Sequence, residues 1–160
     1  MKAPPPTAAE VIADVRAVYA ELDRRPVERQ CTRLTECCRF RLTGKAPFLT
    51  RAEALLAASA WRAAGRGHLP APVDGACPML GRETGHCAIY ADRPFGCRTH
   101  FCRAAGGPYA RREVKDLIYR LEDLSRALGQ DEAMPLRPAI EAALRDASPR
   151  GVPSQPYRRY

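Results

Sequence analysis

The sequence contains no run of apolar residues long enough to cross a membrane, and its opening MKAPPPTAAE lacks the continuous apolar segment of a secretory signal. From these absences we expect a cytoplasmic protein. A glycine-rich dinucleotide fingerprint, a phosphate-binding loop, an HExxH helix and a nucleophile elbow are also missing, so no nucleotide cofactor or metalloprotease chemistry is indicated. Nor is there a C-x2-C pair, the tight knuckle of most structural zinc sites.

Cysteine, by contrast, is abundant, with seven in 160 residues. Disulfides rarely persist in the cytoplasm, so this content favours metal or redox chemistry over a framework of bridges. Four cysteines fall between Cys77 and Cys102, with His86 and His100 close to them. Thiolate and imidazole are the ligands that zinc and iron-sulfur centres prefer, so we predict a metal centre. The candidate ligands are Cys31, Cys37, Cys38, Cys77, Cys87, Cys97, Cys102 and His100, with His86 ranked after His100.

The type and number of metal centres stay open at this stage. Seven cysteines exceed the four ligands of one zinc ion or one cubane cluster, which leaves three for a second centre completed by a histidine or an exogenous ligand. The side chains of adjacent Cys37 and Cys38 are expected to diverge, so that both seldom bind one ion. An all-thiolate set beside arginines suits an iron-sulfur cluster, whereas a set of three cysteines and His100 suits zinc. We expect iron, with zinc as the alternative.

The formal net charge of +8 allows two interpretations. In the first, part of the basic excess offsets the ligands, because metal-bound cysteines are thiolates and a formal count omits their negative charge. The same charge leaves a zinc-stabilised nucleic-acid-binding module as an alternative, which salt-dependent retention on DNA or RNA would test. Residues 149–160 are rich in proline and arginine and are expected to form a flexible basic tail.

Hydrophobic periodicity predicts a mostly α-helical domain over residues 1–148. Capping boxes that begin at Thr7 and Thr50 predict two helices, the first ended or interrupted by Pro26 and the second closed by Gly65. Two further helices, 111–128 and 138–147, are predicted within a C-terminal helical part that spans 110–147.

The motif core, residues 31–102, is expected to contain little regular structure. Its runs ACPML and HCAIY, joined by GRETG, predict a short β-hairpin. Irregular cysteine-rich loops that bind the metal complete the predicted small helical domain.

The segments CTRLTECC, CPML and GHCAIYADRPFGCR resemble the YkgJ-like cysteine-cluster family, whose pattern runs C-x2-C-x2-C-C, then C-P-x-L, then G-x-C-x-I-Y-x-x-R-P-x-x-C-R. The resemblance covers about Cys31 to Cys102 and implies a domain that chelates zinc or iron. The matching positions are Cys31, Cys37, Cys38, Cys77, Pro78, Leu80, Gly85, Cys87, Ile89, Tyr90, Arg93, Pro94, Cys97 and Arg98.

One position departs from this pattern, because Leu34 stands where the family has its second cysteine. We hypothesise that Cys102 supplies the missing thiolate. The resemblance also gives Arg93 and Arg98 supporting roles, as donors of hydrogen bonds to thiolate sulfurs or to carbonyls of the ligand loops.

The role of the predicted metal is less defined than its ligands. A structural, redox or regulatory centre is the first hypothesis. An iron-dependent enzyme acting on a protein or small substrate is the alternative, because the cysteine-rich part of flagellin lysine methylases resembles this family. Fold-level analogy does not transfer activity, and the sequence identifies no catalytic residue and no protein partner.

Overall fold

Four long helices form the body of the molecule, as the helical periodicity predicted. The structure, a computed structural model, describes residues 4–26, 28–31 and 35–146. The long helices are α1 (Ala8–Arg24), α3 (Arg51–Ala63), α5 (Arg111–Ala127) and α6 (Leu136–Asp146), and the short ones are α2 (Phe40–Thr43) and α4 (Phe95–Thr99). The prediction of a mostly α-helical fold is thus confirmed. The basic tail predicted at 149–160 lies outside the described residues.

Helix α3 is the centre of the core and packs against α1, α5 and α6. All seven of its residues from Ala52 to Ala58 are buried, and four of them are alanines, whose small side chains allow neighbouring helices to approach closely. Trp61 closes the end of this core, and its indole N–H donates to the His68 carbonyl at 3.0 Å. The core therefore forms a rigid platform for the cysteine-rich loops.

Both predicted capping boxes are present. In α1 the N–H of Glu10 donates to the Thr7 hydroxyl at 3.3 Å, and the N–H of Thr7 donates to the Glu10 carboxylate at 2.8 Å. Thr50 and Glu53 repeat the arrangement at the start of α3, at 3.4 and 3.0 Å. Each pair satisfies backbone donors that a helix start otherwise leaves unpaired.

A two-stranded antiparallel sheet, absent from the sequence prediction, joins distant parts of the chain. Strand β1 (Phe48–Leu49) pairs with β2 (Met134–Pro135). The N–H of Leu136 then donates to the Pro47 carbonyl at 3.0 Å. This pairing delivers the chain directly into α6, which begins at Leu136 rather than at the predicted 138.

The hairpin predicted between ACPML and HCAIY is reduced to one antiparallel bridge between Leu80 and Cys87. Two backbone hydrogen bonds flank it, from Gly81 to His86 (2.9 Å) and from Ala88 to Met79 (2.8 Å). Within the described ranges, none of the helices combines the length and the apolar character that a membrane span requires.

Candidate metal centre

Backbone hydrogen bonds bring the first cysteine segment against the second. The N–H of Cys77 donates to the carbonyl of Cys38 at 2.7 Å, and Arg39 and Ala76 form an antiparallel bridge beside this bond. The bridge between Leu80 and Cys87 then turns the chain back. Residues almost forty positions apart in the sequence thus become neighbours.

Five cysteines share this neighbourhood, and we call them the cysteine cluster. They are Cys37, Cys38, Cys77, Cys87 and Cys97, all of them buried or half-buried. A thiolate at Cys37, Cys77 or Cys87 raises the pKa of both Cys38 and Cys97 through charge repulsion, which shows that these side chains lie close together. All seven cysteines of the chain are free thiols.

Burial and mutual charge set the proton affinity of these thiols. Burial raises the pKa of Cys77 to about 12 and is also the main reason for the raised pKa of Cys87 and Cys97. The N–H groups of Met79 and Leu80 act in the opposite direction, because their hydrogen bonds to the Cys77 sulfur lower its pKa. The cluster thus combines an environment that disfavours isolated thiolates with donors that stabilise them.

The thiols of adjacent Cys37 and Cys38 act on each other, and this interaction lowers the pKa of Cys37 and raises the pKa of Cys38. The expectation that the two side chains diverge stays a prediction. The Arg93 guanidinium further lowers the pKa of Cys37. The pair therefore supplies one thiolate readily and holds the second proton tightly.

A metal of the thiolate-preferring class fits the chemistry of this donor set. The positions of the side chains are a separate matter. In 4–26, 28–31 and 35–146, no group of three or more His, Cys, Asp or Glu side chains is arranged to hold a metal ion.

The other candidate ligands lie on different segments. Cys31 is exposed, and the N–H of the preceding Gln30 donates to the Ala105 carbonyl (3.3 Å), next to the turn that begins at Cys102. His86 and His100 are both exposed. The hypothesis that Cys102 supplies the thiolate missing at Leu34 stays a prediction, because Leu34 lies outside the described residues.

Arg93 and Arg98 both donate to carbonyls of the loop before Cys97. Arg93 donates to Tyr90 at 2.9 Å, with its guanidinium 4.0 Å from the centre of the Tyr90 ring. Its charge also lowers the pKa of Cys87 and Cys97.

Arg98 is only 8% exposed and donates to the carbonyls of Arg93 (3.1 Å) and Ala91. It also reaches the Asp23 carboxylate of α1 at 3.3 Å. The two arginines thus have distinct positions, Arg93 beside the thiols and Arg98 between the loop and α1.

Glu53 supports the cluster in a way that the sequence prediction missed. Besides capping α3, its buried carboxylate accepts from the Phe95 N–H at 2.8 Å and from the Tyr19 hydroxyl at 3.2 Å. Phe95 begins α4, the helix that carries Cys97. A capping-box glutamate has the same sequence pattern whether its side chain is exposed or buried, so no local signal could have revealed this second role.

A comparison with protein families found a match to this chain. A family model with the description "CxxCxxCC: Putative zinc- or iron-chelating domain" matches residues 30–119, more than half of the sequence. No curated protein and no solved structure matches the chain. The matched span contains the whole cysteine cluster together with Arg93, Arg98 and Glu53.

Proposed function

The chain belongs to the CxxCxxCC family, and from this membership we propose that it binds iron as an iron-sulfur cluster, in a redox, regulatory or structural role. The ligands are drawn from the cysteine cluster. The observation that carries the proposal is the convergence of five free, largely buried thiols beside one arginine. When bound, such a cluster supplies one-electron redox chemistry.

Two features of the site suit an iron-sulfur cluster. The five grouped donors are all sulfur, whereas His86 and His100, which a mixed zinc site would use, are exposed. Backbone N–H groups also donate to the sulfurs, from Met79 and Leu80 to Cys77 and from Ile89 to Cys87. Hydrogen bonds to sulfur are among the features by which proteins set the potential of such clusters.

Within this proposal the protein's own residues have separate tasks. The cluster cysteines hold the metal, and the Arg93 charge offsets part of the negative charge of the thiolates. Arg98 and Glu53 fix the loop and the helix that present Cys97. Zinc bound by the same cysteines is the alternative, and it would exclude a redox role for the centre because zinc has no redox chemistry.

Elemental analysis of protein purified without air tests the proposal. We expect iron and labile sulfide at about four each per chain and a visible absorption band that dithionite bleaches, as for a cubane cluster. Cys97→Ser should lose this iron, whereas His68→Ala, a change in an exposed loop, should retain it. Colourless protein with stoichiometric zinc would show that the cysteines bind zinc and not an iron-sulfur cluster. Protein without metal would refute metal binding.

A further inference from the structure

A cavity of about 320 Å³ opens beside the cysteine cluster. Cys77 and Pro78 form part of its wall, and Arg39 and Ala76, the bridge that joins the two cysteine segments, form another part. This volume is within the range of sites that bind small molecules. Neither the family match nor the proposed metal centre assigns a ligand to it.

Three arginines line the cavity, but they are not equivalent. Arg137 is already engaged, because it donates to the Pro70 carbonyl at 2.6 Å and pairs with Glu141 at 3.0 Å. Its role is to tie the loop that forms one wall to helix α6. The other two, Arg39 and Arg82, are exposed.

No described carboxylate pairs with the charge of Arg39 or Arg82. Among the described residues, neither has a carboxylate within 4.0 Å of its guanidinium. Asp74 is the one acidic side chain among the described residues that line the cavity, so the lining is positive overall. A concave surface of this kind attracts anions.

The remaining wall includes apolar side chains, among them Pro70, Val73 and Leu80. A guanidinium pairs with planar carboxylates and with phosphates through two parallel hydrogen bonds. We propose that the cavity binds a small organic anion, whose carboxylate or phosphate group is held by Arg39 and Arg82 and whose apolar part contacts this wall. The proposal does not depend on the metal in the cluster.

The location gives such a ligand access to both cysteine segments. Arg39 directly follows Cys38, and Arg82 lies in the turn between Cys77 and Cys87. An anion that spans the two arginines therefore bridges the segments that carry most of the cluster.

Calorimetric titration of the full chain tests the proposal with three probes: inorganic phosphate, succinate and the uncharged succinamide. The pocket variant carries Arg39→Gln and Arg82→Gln. The matched control carries Arg111→Gln and Arg112→Gln, two exposed arginines at the start of α5 that do not line the cavity. Both variants lose the same charge and should unfold at the same temperature.

We expect phosphate or succinate to bind the unaltered chain and the control, and to bind the pocket variant at least about tenfold more weakly, because that variant lacks both guanidinium groups that hold the anion. The probe that binds more tightly identifies the anionic group. Three outcomes would overturn the proposal: no binding of either anion to the unaltered chain, an equal loss in both variants, or binding of succinamide as tight as that of succinate.

Discussion

Glu10 and Glu53 occupy the same position in two capping boxes, and their replacement by alanine separates the effect of a helix cap from that of a buried acceptor. Each glutamate closes a capping box with a threonine three residues earlier. Glu10 is exposed, whereas Glu53 is only 4% exposed. We therefore predict that Glu53→Ala destabilises the fold far more than Glu10→Ala.

The difference follows from the hydrogen bonds that only Glu53 makes. Its carboxylate accepts from the Tyr19 hydroxyl at 3.2 Å and from the Phe95 N–H at 2.8 Å, and both donors belong to buried residues. A buried donor left without a partner costs about 1–3 kcal/mol. Two such donors predict that Glu53→Ala lowers the free energy of unfolding by about 2–6 kcal/mol more than Glu10→Ala does, a large share of the 5–15 kcal/mol typical of a domain.

Urea unfolding of both variants, followed by circular dichroism, measures this difference. The metal content of each variant, purified under the same conditions, reports on the cluster, because the Phe95 N–H that loses its acceptor lies at the start of the helix that carries Cys97. Glu53→Ala should lose metal and Glu10→Ala should retain it. Equal unfolding free energies, within the error of the linear extrapolation, would refute the buried-acceptor argument.

Burial raises the pKa of Glu53, so the folded state binds its proton more tightly than the unfolded state does. The stability that this proton contributes is present below the ordinary value of 4.5 and is lost as pH rises through the raised pKa, so Glu53→Gln should remove this part of the pH dependence in urea titrations. Gly106→Ala should destabilise more than Gly107→Ala, because both have positive φ but only at Gly106 would the new Cβ lie 2.9 and 3.2 Å from atoms of residues 28–29; thermal unfolding compares them. Ser125→Ala should cost about 1–3 kcal/mol in urea, since its buried hydroxyl accepts from a buried N–H of α3 at 3.0 Å, and an unchanged midpoint would show that water replaces the hydroxyl.

The long helices could be predicted because each buries one apolar stripe, whose residues recur in the sequence at helical spacing. The short elements could not. Helix α4 has five residues, too few for a periodic signal, and its first N–H is satisfied by Glu53, which is 42 positions away. Strands β1 and β2 have two residues each, and each finds its partner at the far end of a segment that contains α3, α4 and α5.

The candidate site likewise has features that the sequence could predict and features that it could not. Residue type alone made the cysteines the candidates, because a chain expected to be cytoplasmic has few other roles for seven of them. Which five lie together depends on long-range bonds such as the one from Cys77 to Cys38, which no local pattern encodes. That Arg39 and Arg82 line one cavity was likewise beyond prediction, because it depends on the fold.

Arg98 shows how loops with little secondary structure are held in place. The loops insert only a few apolar residues into the core, among them Met79, Ile89 and Phe95. Arg98 adds bonds to two loop carbonyls and to Asp23, and its guanidinium lies 4.4 Å from the centre of the Tyr19 ring, so one side chain joins the loop to α1 at several points. Burial lowers the pKa of Arg98, but a guanidinium keeps its proton in proteins, so the desolvated charge must be matched by acceptors. The carbonyls and Asp23 are those acceptors, and lysine, without the planar fork, could not satisfy them together.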